Sequence, residues 1–478
     1  MFRDVSLLNR NHIYWSIFFI LIIISLVTYT TQLSFAQDTK SLLNRNGIEV
    51  NNKTSTNAEH ETEFLNNTLI VALRTPSTFD LFNTSLYQNT LFEDKIENIQ
   101  NLSSIGAVII TIKNHDYIQQ LKADLEKNPL VEGVIINRLL DGFLPPPVTI
   151  FPLVNLQKVP TGIDRIDAEP TSITTGSRSV INANVAVLDS GIDANHPDLN
   201  VAHQVYFRGT GPEDNCDHGT HVAGIIGAKD NLFGVVGVAP GVNLWNVKIM
   251  ELSPSGICQP SWWSLINGLN YVAANSDSID VANLSWNYNC GDNCFTDPYL
   301  NDIRNLELYI ERVIEKGIII VVSAGNDRIN TDRVVPSFFQ SVITTSALTD
   351  SDGKCGGIGP LSKGWGTMGE KYRDDTLADF SNYGTAVDIA APGVDRLSTL
   401  PGRNYGEMSG TSMAAPHVTG SLALIKSNHP DYPVSIIRNM LLESGSNQFI
   451  ECNKEGYGYF NDDNDPSNEP LLYIKNLN

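Results

Sequence analysis

Between about residue 155 and residue 445, uninterrupted apolar runs alternate with helical spacing. The runs at 185–188, 244–249, 281–284, 318–322 and 342–344 read as strands. Between them, Trp262, Leu265, Ile266, Leu269 and Val272, and later Leu306, Tyr309, Ile310, Val313 and Ile314, recur at steps of three and four. Strands apolar on both faces and joined by helices predict a parallel sheet covered on both sides. The expected fold class is therefore α/β, doubly wound and mostly parallel. Residues 413–426 are small or apolar almost all round, which predicts a buried helix.

A smaller unit is expected at 65–143. Residues 69–73, 107–112 and 134–136 read as strands. Residues 91–99, and the stripe Ile118, Leu121, Leu125, have helical spacing. The order β-α-β-α-β suggests a small α+β sandwich of the split βαβ kind. It ends in Leu144-Pro145-Pro146-Pro147, an extended linker over 144–154. Upstream, residues 37–64 are a polar spacer. Arg3 and Arg10 precede an apolar run at 13–29, and Ser34-Phe35-Ala36 follows it. That pattern predicts a signal peptide over 1–36, with an uncleaved anchor as the alternative. The large unit is expected over 155–447, with a tail at 448–478.

Composition narrows the function classes. Net charge is 32 − 53 = −21, which argues against nucleic acid or an anionic membrane as partner. A soluble, exported monomer is expected. Export makes disulfides expected among the six cysteines. Cys290 and Cys294 are close enough to staple one loop. A Cys216–Cys258 bridge would brace His218 and leave Cys355 with Cys452, although fifteen pairings stay open. The acidic stretch Asn461-Asp462-Asp463-Asn464-Asp465 reads as a solvated loop.

Ligand sites in open α/β sheets lie beyond the carboxyl ends of the strands. Asp189 ends the first apolar run. His218 stands in Asp217-His218-Gly219-Thr220-His221, Asn326 follows Ser323-Ala324-Gly325, and Ser412 opens the buried helix after Gly410-Thr411. A serine hydroxyl becomes a nucleophile when a histidine takes its proton, and that histidine needs a carboxylate to fix its tautomer. A zinc protease is disfavoured because no His-Glu-x-x-His exists. Ala414 breaks the Gly-x-Ser-x-Gly elbow of the α/β-hydrolases.

Three motifs, Val187-Leu188-Asp189-Ser190-Gly191, His218-Gly219-Thr220-His221-Val222-Ala223-Gly224 and Gly410-Thr411-Ser412-Met413-Ala414-Ala415-Pro416, resemble those of the subtilisin-like serine proteases, in the same order. The resemblance runs from about 159 to about 444. It implies a subtilisin-like fold, peptide or protein substrates, and a catalytic set of Asp189, His218, Ser412 and the oxyanion donor Asn326. Ser285, Trp286 and Asn287 match one wall of the substrate cleft, and Ser323, Ala324 and Gly325 the other. The family usually has Gly-Gly where this chain has Trp286-Asn287, so Trp286 is expected to narrow or shield the pocket. Residues 353–376 look inserted. The 65–143 unit, through Val131-Glu132-Gly133-Val134-Ile135, resembles the family's ferredoxin-like inhibitory propeptide, so the chain's own propeptide is an expected partner. A structural calcium ion (Ca2+) is implied as well, with Asp198 and Asn231 giving side-chain oxygens and Lys229, Phe233 and Val235 their carbonyls.

Overall fold

The structure is a computed structural model. It describes residues 65 and 67–475 except 89–93, 146–147, 152–155, 169–180, 297–298, 363–371, 448–449, 454–457 and 459–468. The segments expected to be a signal peptide and a spacer, and the acidic stretch 461–465, lie outside the described residues. Among those described, no helix is long and apolar enough to cross a membrane.

The large sheet has eight strands. In chain order they include β6 (Asn184–Asp189), β7 (Val201–Tyr206), β8 (Asn243–Lys248), β11 (Val281–Leu284), β12 (Ile319–Ser323), β13 (Ile343–Thr349), β14 (Thr376–Leu377) and β15 (Ile389–Pro392). The spatial order is β14-β13-β12-β11-β6-β8-β7, with β15 also on β13. All pairs are parallel except the edge strand β14. The strand order reverses at β6, so a crevice opens between β6 and β11. One face packs on α3 (His218–Gly227) and α6 (Thr411–Asn428), the other on α4 (Trp262–Ala274) and α5 (Tyr299–Ile314). Helix α6 is buried along nearly its whole length, as its all-round apolar sequence requires. Leu472 and Ile474, from the end of the chain, also sit in this core.

The small unit departs from expectation. Its strands are β1 (Thr68–Leu73), β2 (Ile96–Leu102), β3 (Ala107–Ile112) and β4 (Val131–Ile136), in antiparallel order β2-β3-β1-β4. The helices are α1 (Phe79–Gln88) and α2 (Ile118–Leu125). The helix expected at 91–99 is overturned where the chain is described: Ile96–Leu102 form the edge strand β2, and a helix lies earlier, at Phe79–Gln88. An edge strand buried only at Ile96 and Leu102 has a weak period-two signal, so the four apolar residues Leu91, Phe92, Ile96 and Ile99 passed for a helical stripe. The order is therefore β-α-β-β-α-β.

The stretch between the units is not a free linker throughout. Residues Thr149–Phe151 form β5, an added antiparallel strand on β17 (Asn404–Met408), which itself pairs with β16 (Arg396–Leu400). Three disulfides join Cys216–Cys258, Cys290–Cys294 and Cys355–Cys452, the set the spacing suggested.

Candidate active site

Four chain ends converge on the crevice. Asp189 is the last residue of β6 and fully buried. Its Oδ1 lies 2.8 Å from Nδ1 of His218, the first residue of α3. The Ser190 N–H donates to the same oxygen at 2.7 Å, so the carboxylate is aimed before the histidine arrives. Gly219 follows His218 because a Cβ there would strike the Gly191 carbonyl. Asp214, fully buried, receives the Thr220 and Cys216 N–H groups and the Ser190 hydroxyl, bracing the start of α3. Burial pushes its carboxyl upward. Asp214 was not among the expected site residues; two of its partners are local, and the third, Ser190, ties the loop back to the end of β6.

Ser412 is the second residue of α6. Pro416, four residues on, has no N–H to give the Ser412 carbonyl. That carbonyl takes the Ser285 hydroxyl instead, at 3.2 Å, which ties the helix start to the end of β11. The Ser412 hydroxyl itself makes a long bond of 3.4 Å to the Ser285 carbonyl. Asn326 follows β12. Its Oδ1 accepts both the N–H and the hydroxyl of Thr411, each at 2.9 Å. This leaves the amide Nδ2 as the end that faces the cavity Asn326 lines. Thr411, absent from the expected set, thus positions the amide.

A cleft of about 490 Å³ is lined by His218, Ser412, Asn326, Ser285, Trp286 and Asn287. Ser323 and Ala324 are buried behind it, and Asn287 Nδ2 donates to the Ser323 hydroxyl at 3.1 Å, joining the two walls. Asn382 holds the second wall: it donates to the Ala324 carbonyl and accepts the N–H groups of Asp327 and Ile329. Trp286 lines the cleft. It is 2% exposed, packed in the apolar cluster of α4 and α5.

The cleft is also lined by the small unit's last residues, 141–144. This stretch pairs antiparallel with β10 (Cys258–Pro260): Leu140 N–H donates to the Pro260 carbonyl, and Phe143 and Cys258 exchange N–H···O bonds. The Phe143 ring lies 4.5 Å from that of His218.

Of the expected calcium ligands, Asn231 and Val235 meet the side chain of Asp198. Its fully buried carboxylate receives Asn231 Nδ2 at 2.7 Å, the Val235 N–H at 3.1 Å and the Tyr405 hydroxyl at 2.8 Å. Burial first, then that bond to Asp198, pushes the Tyr405 phenol upward, so it stays a donor. Gln157, not expected, enters the same loop, its Oε1 accepting the N–H groups of Asn231 and Leu232. Here the atoms that meet the carboxylate are donors, and Asn231 Oδ1 accepts the Phe233 N–H at 3.2 Å; the residue types, one carboxylate with a neutral amide and main-chain carbonyls, suit calcium. Separately, Asp350, Asp352 and Asp374 bring carboxylate oxygens within 4.8 Å of one another and could hold an ion, although Asp350 is already paired with Arg396 at 3.1 Å.

Comparison with known proteins agrees with this geometry. The Subtilase family model matches residues 181–459. Subtilisin NAT of Bacillus subtilis subsp. natto is 37% identical over 293 residues, 60% of this chain and 65% of that protein. Subtilisin from Bacillus pumilus is 36% identical over 293 residues, covering 90% of its length. Subtilisin DY of Bacillus licheniformis is 31% identical over 297 residues, covering 93%. The chain thus spans just under two thirds of the first of these relatives and most of the other two. With the match covering more than half of its residues and the motifs converging on one cleft, this chain belongs to the Subtilase family.

Proposed function

We propose that the chain is an exported serine endopeptidase, made as a self-processing zymogen. The observation that carries the reading is Asp189 Oδ1 at 2.8 Å from His218 Nδ1, in a cleft that Ser412 and Asn326 also line. With Nδ1–H held by Asp189, the free Nε2 of His218 takes the Ser412 proton as Oγ attacks the scissile carbonyl. For this the hydroxyl turns from the Ser285 carbonyl towards His218. The imidazolium then gives its proton to the leaving amine, and water repeats the cycle on the acyl-enzyme. Asn326 Nδ2 and the Ser412 N–H receive the developing oxyanion, helped by the amino end of α6.

In this reading residues 65–143 are the inhibitory propeptide, and the stretch beside β10 is held as a substrate would be. Phe143 against His218 supports it. Asp198, Asn231 and the loop carbonyls of Lys229, Phe233 and Val235, joined by Gln157, would hold a calcium ion that stiffens the amino-terminal segment of the enzyme unit. Substrates are proteins or peptides, and the relatives' identity as subtilisins supports that class.

The test is Ser412→Ala. Turnover of a general peptide substrate should fall by about 10⁶, the size of the serine's loss in subtilisin itself, and the 65–143 unit should stay joined to the chain. Near-normal hydrolysis by Ser412→Ala would end the proposal.

A further inference from the structure

The stretch lying in the cleft is held from two sides, and only one of them is a strand. Along β10 the bonds are main-chain ones, from Leu140 to Pro260 and between Phe143 and Cys258. Leu140 and Phe143 are three residues apart and their partners two, so Asp141-Gly142 forms a bulge. The bulge turns the Asp141 carbonyl to the opposite wall. There it accepts the indole Nε1–H of Trp286 at 2.9 Å. Trp286 is 2% exposed and anchored among apolar neighbours, so its N–H is fixed in direction. When the stretch leaves, that buried donor loses its acceptor, and leaving it unmet is costly.

We propose that Trp286 is a specificity-determining residue that binds a main-chain carbonyl of the substrate through its indole N–H. This rests on the endopeptidase reading above. A peptide laid along β10 with the same bulge turns the carbonyl of the bulged residue to the Trp286 wall. Every peptide bond supplies such a carbonyl, so Trp286 reads the length of the substrate and not its side chains. A peptide too short to place a carbonyl at the indole leaves the N–H without a partner. One long enough gains the bond. The residue whose carbonyl is read lies upstream of the one that meets His218, where Asp141 stands relative to Phe143.

The experiment uses peptidyl p-nitroanilides lengthened one residue at a time at the amino end, with mature wild-type enzyme and Trp286→Phe. In the wild type, kcat/KM should step up by about five- to tenfold at one length, the size of one hydrogen bond. In Trp286→Phe that step should vanish, whatever the rate on the shortest peptide. A step of wild-type size in Trp286→Phe overturns the inference. A second measurement needs no variant: replacing the carbonyl of the step residue by a methylene should erase the step in wild-type enzyme, and a retained step again overturns it. A wild type inert on every peptide overturns the endopeptidase reading and this inference together, whereas an active wild type with no step overturns this inference alone.

Discussion

The two largest sheets of this molecule are apolar on both faces, yet they obtain their cover differently. The large parallel sheet is closed by its own helices, α3 and α6 on one side and α4 and α5 on the other. The small antiparallel sheet supplies only half its cover. Leu69, Val71 and Leu73 of β1 pack with Phe82, Leu121 and Leu125 of its own helices. The alternate residues Ile70 and Ala72, with Ala107 and Ile109, share a cluster with Leu265, Ile266, Leu306 and Ile310 of α4 and α5. Antiparallel sheets usually leave one face to water. Here the second face is borrowed, and the same contact covers apolar residues of α4 and α5.

The borrowed face is also studded with polar contacts. Arg312 of α5 donates to the carbonyls of Leu73 and Ile105, both at 2.7 Å, and burial lowers its pKa. Arg138 pairs with Asp302 at 2.7 Å, and Trp263 N–H donates to Asn137. Gly133 of β4 sits where a Cβ would strike Asn305 and Asn301. A mixed surface of this kind suits two units that part, as the proposed zymogen reading requires.

Four experiments press on the contrast. The largest effect falls on the large unit alone. Asn326→Leu should lower turnover about 10²–10³-fold, the magnitude known for the equivalent donor in subtilisin, with little change in KM and with the small unit still removed during maturation. Unchanged kcat would take Asn326 out of the oxyanion site.

Acid comes next. His221 and His417, buried in α3 and α6, have pKa values lowered to about 3 by burial. Their unfolded value is about 6.5. Unfolding therefore takes up two protons below that, and the stability they provide above pH 6.5 is lost as the pH falls towards 3. Together they contribute a slope of about 2.7 kcal/mol per pH unit between about pH 6 and pH 4. Asp350, raised to about 6 by burial, works in the opposite sense and offsets part of it. Urea unfolding of the Ser412→Ala chain across this range should show one proton fewer in a His417→Gln background. The small unit's single histidine, His115, is exposed, so this sensitivity belongs to the large unit.

Calcium should also act on the large unit. If the ion binds only the folded chain, removal costs about 2.7 kcal/mol when free calcium is a hundred times its dissociation constant. A chelator should lower the melting temperature of the wild type and have much less effect on Asp198→Ala. Equal losses in both would move the ion elsewhere, with the Asp350, Asp352 and Asp374 group the next place to mutate.

The smallest effect tests the borrowed face. Arg312→Met keeps the apolar stem and removes the donors, which should loosen the small unit by about 2 kcal/mol, roughly thirtyfold. The lag before activity appears should shorten, while kcat of the mature enzyme stays as it was. An unaltered lag would show that apolar burial alone holds the unit.

Much of this was legible in the sequence because it is written locally. Apolar runs of four or five residues can only be strands buried on both faces, so the large sheet was readable. Asp189, His218, Asn326 and Ser412 stand at element ends, where glycine and small neighbours mark the spot. The helix wrongly expected at 91–99 fell where the code is weakest, on an edge strand with two buried positions. Other features depend on partners far along the chain. Thr411, Asn382 and Gln157 act through hydrogen bonds that no spacing announces. The disulfide set was one of fifteen until the fold brought each pair together.

The sequence by itself determined the two kinds of sheet, the buried helix beneath the nucleophile and the residues able to move a proton. Those follow from periodicity and from side-chain chemistry, which act over a few residues. Only the tertiary structure decided that α4 and α5 cover two sheets at once, that Phe143 rests on His218, and that the indole of Trp286 meets a carbonyl. Periodicity says that a face is covered but not by what, because burial is satisfied by any apolar partner and a hydrogen bond by any aligned acceptor.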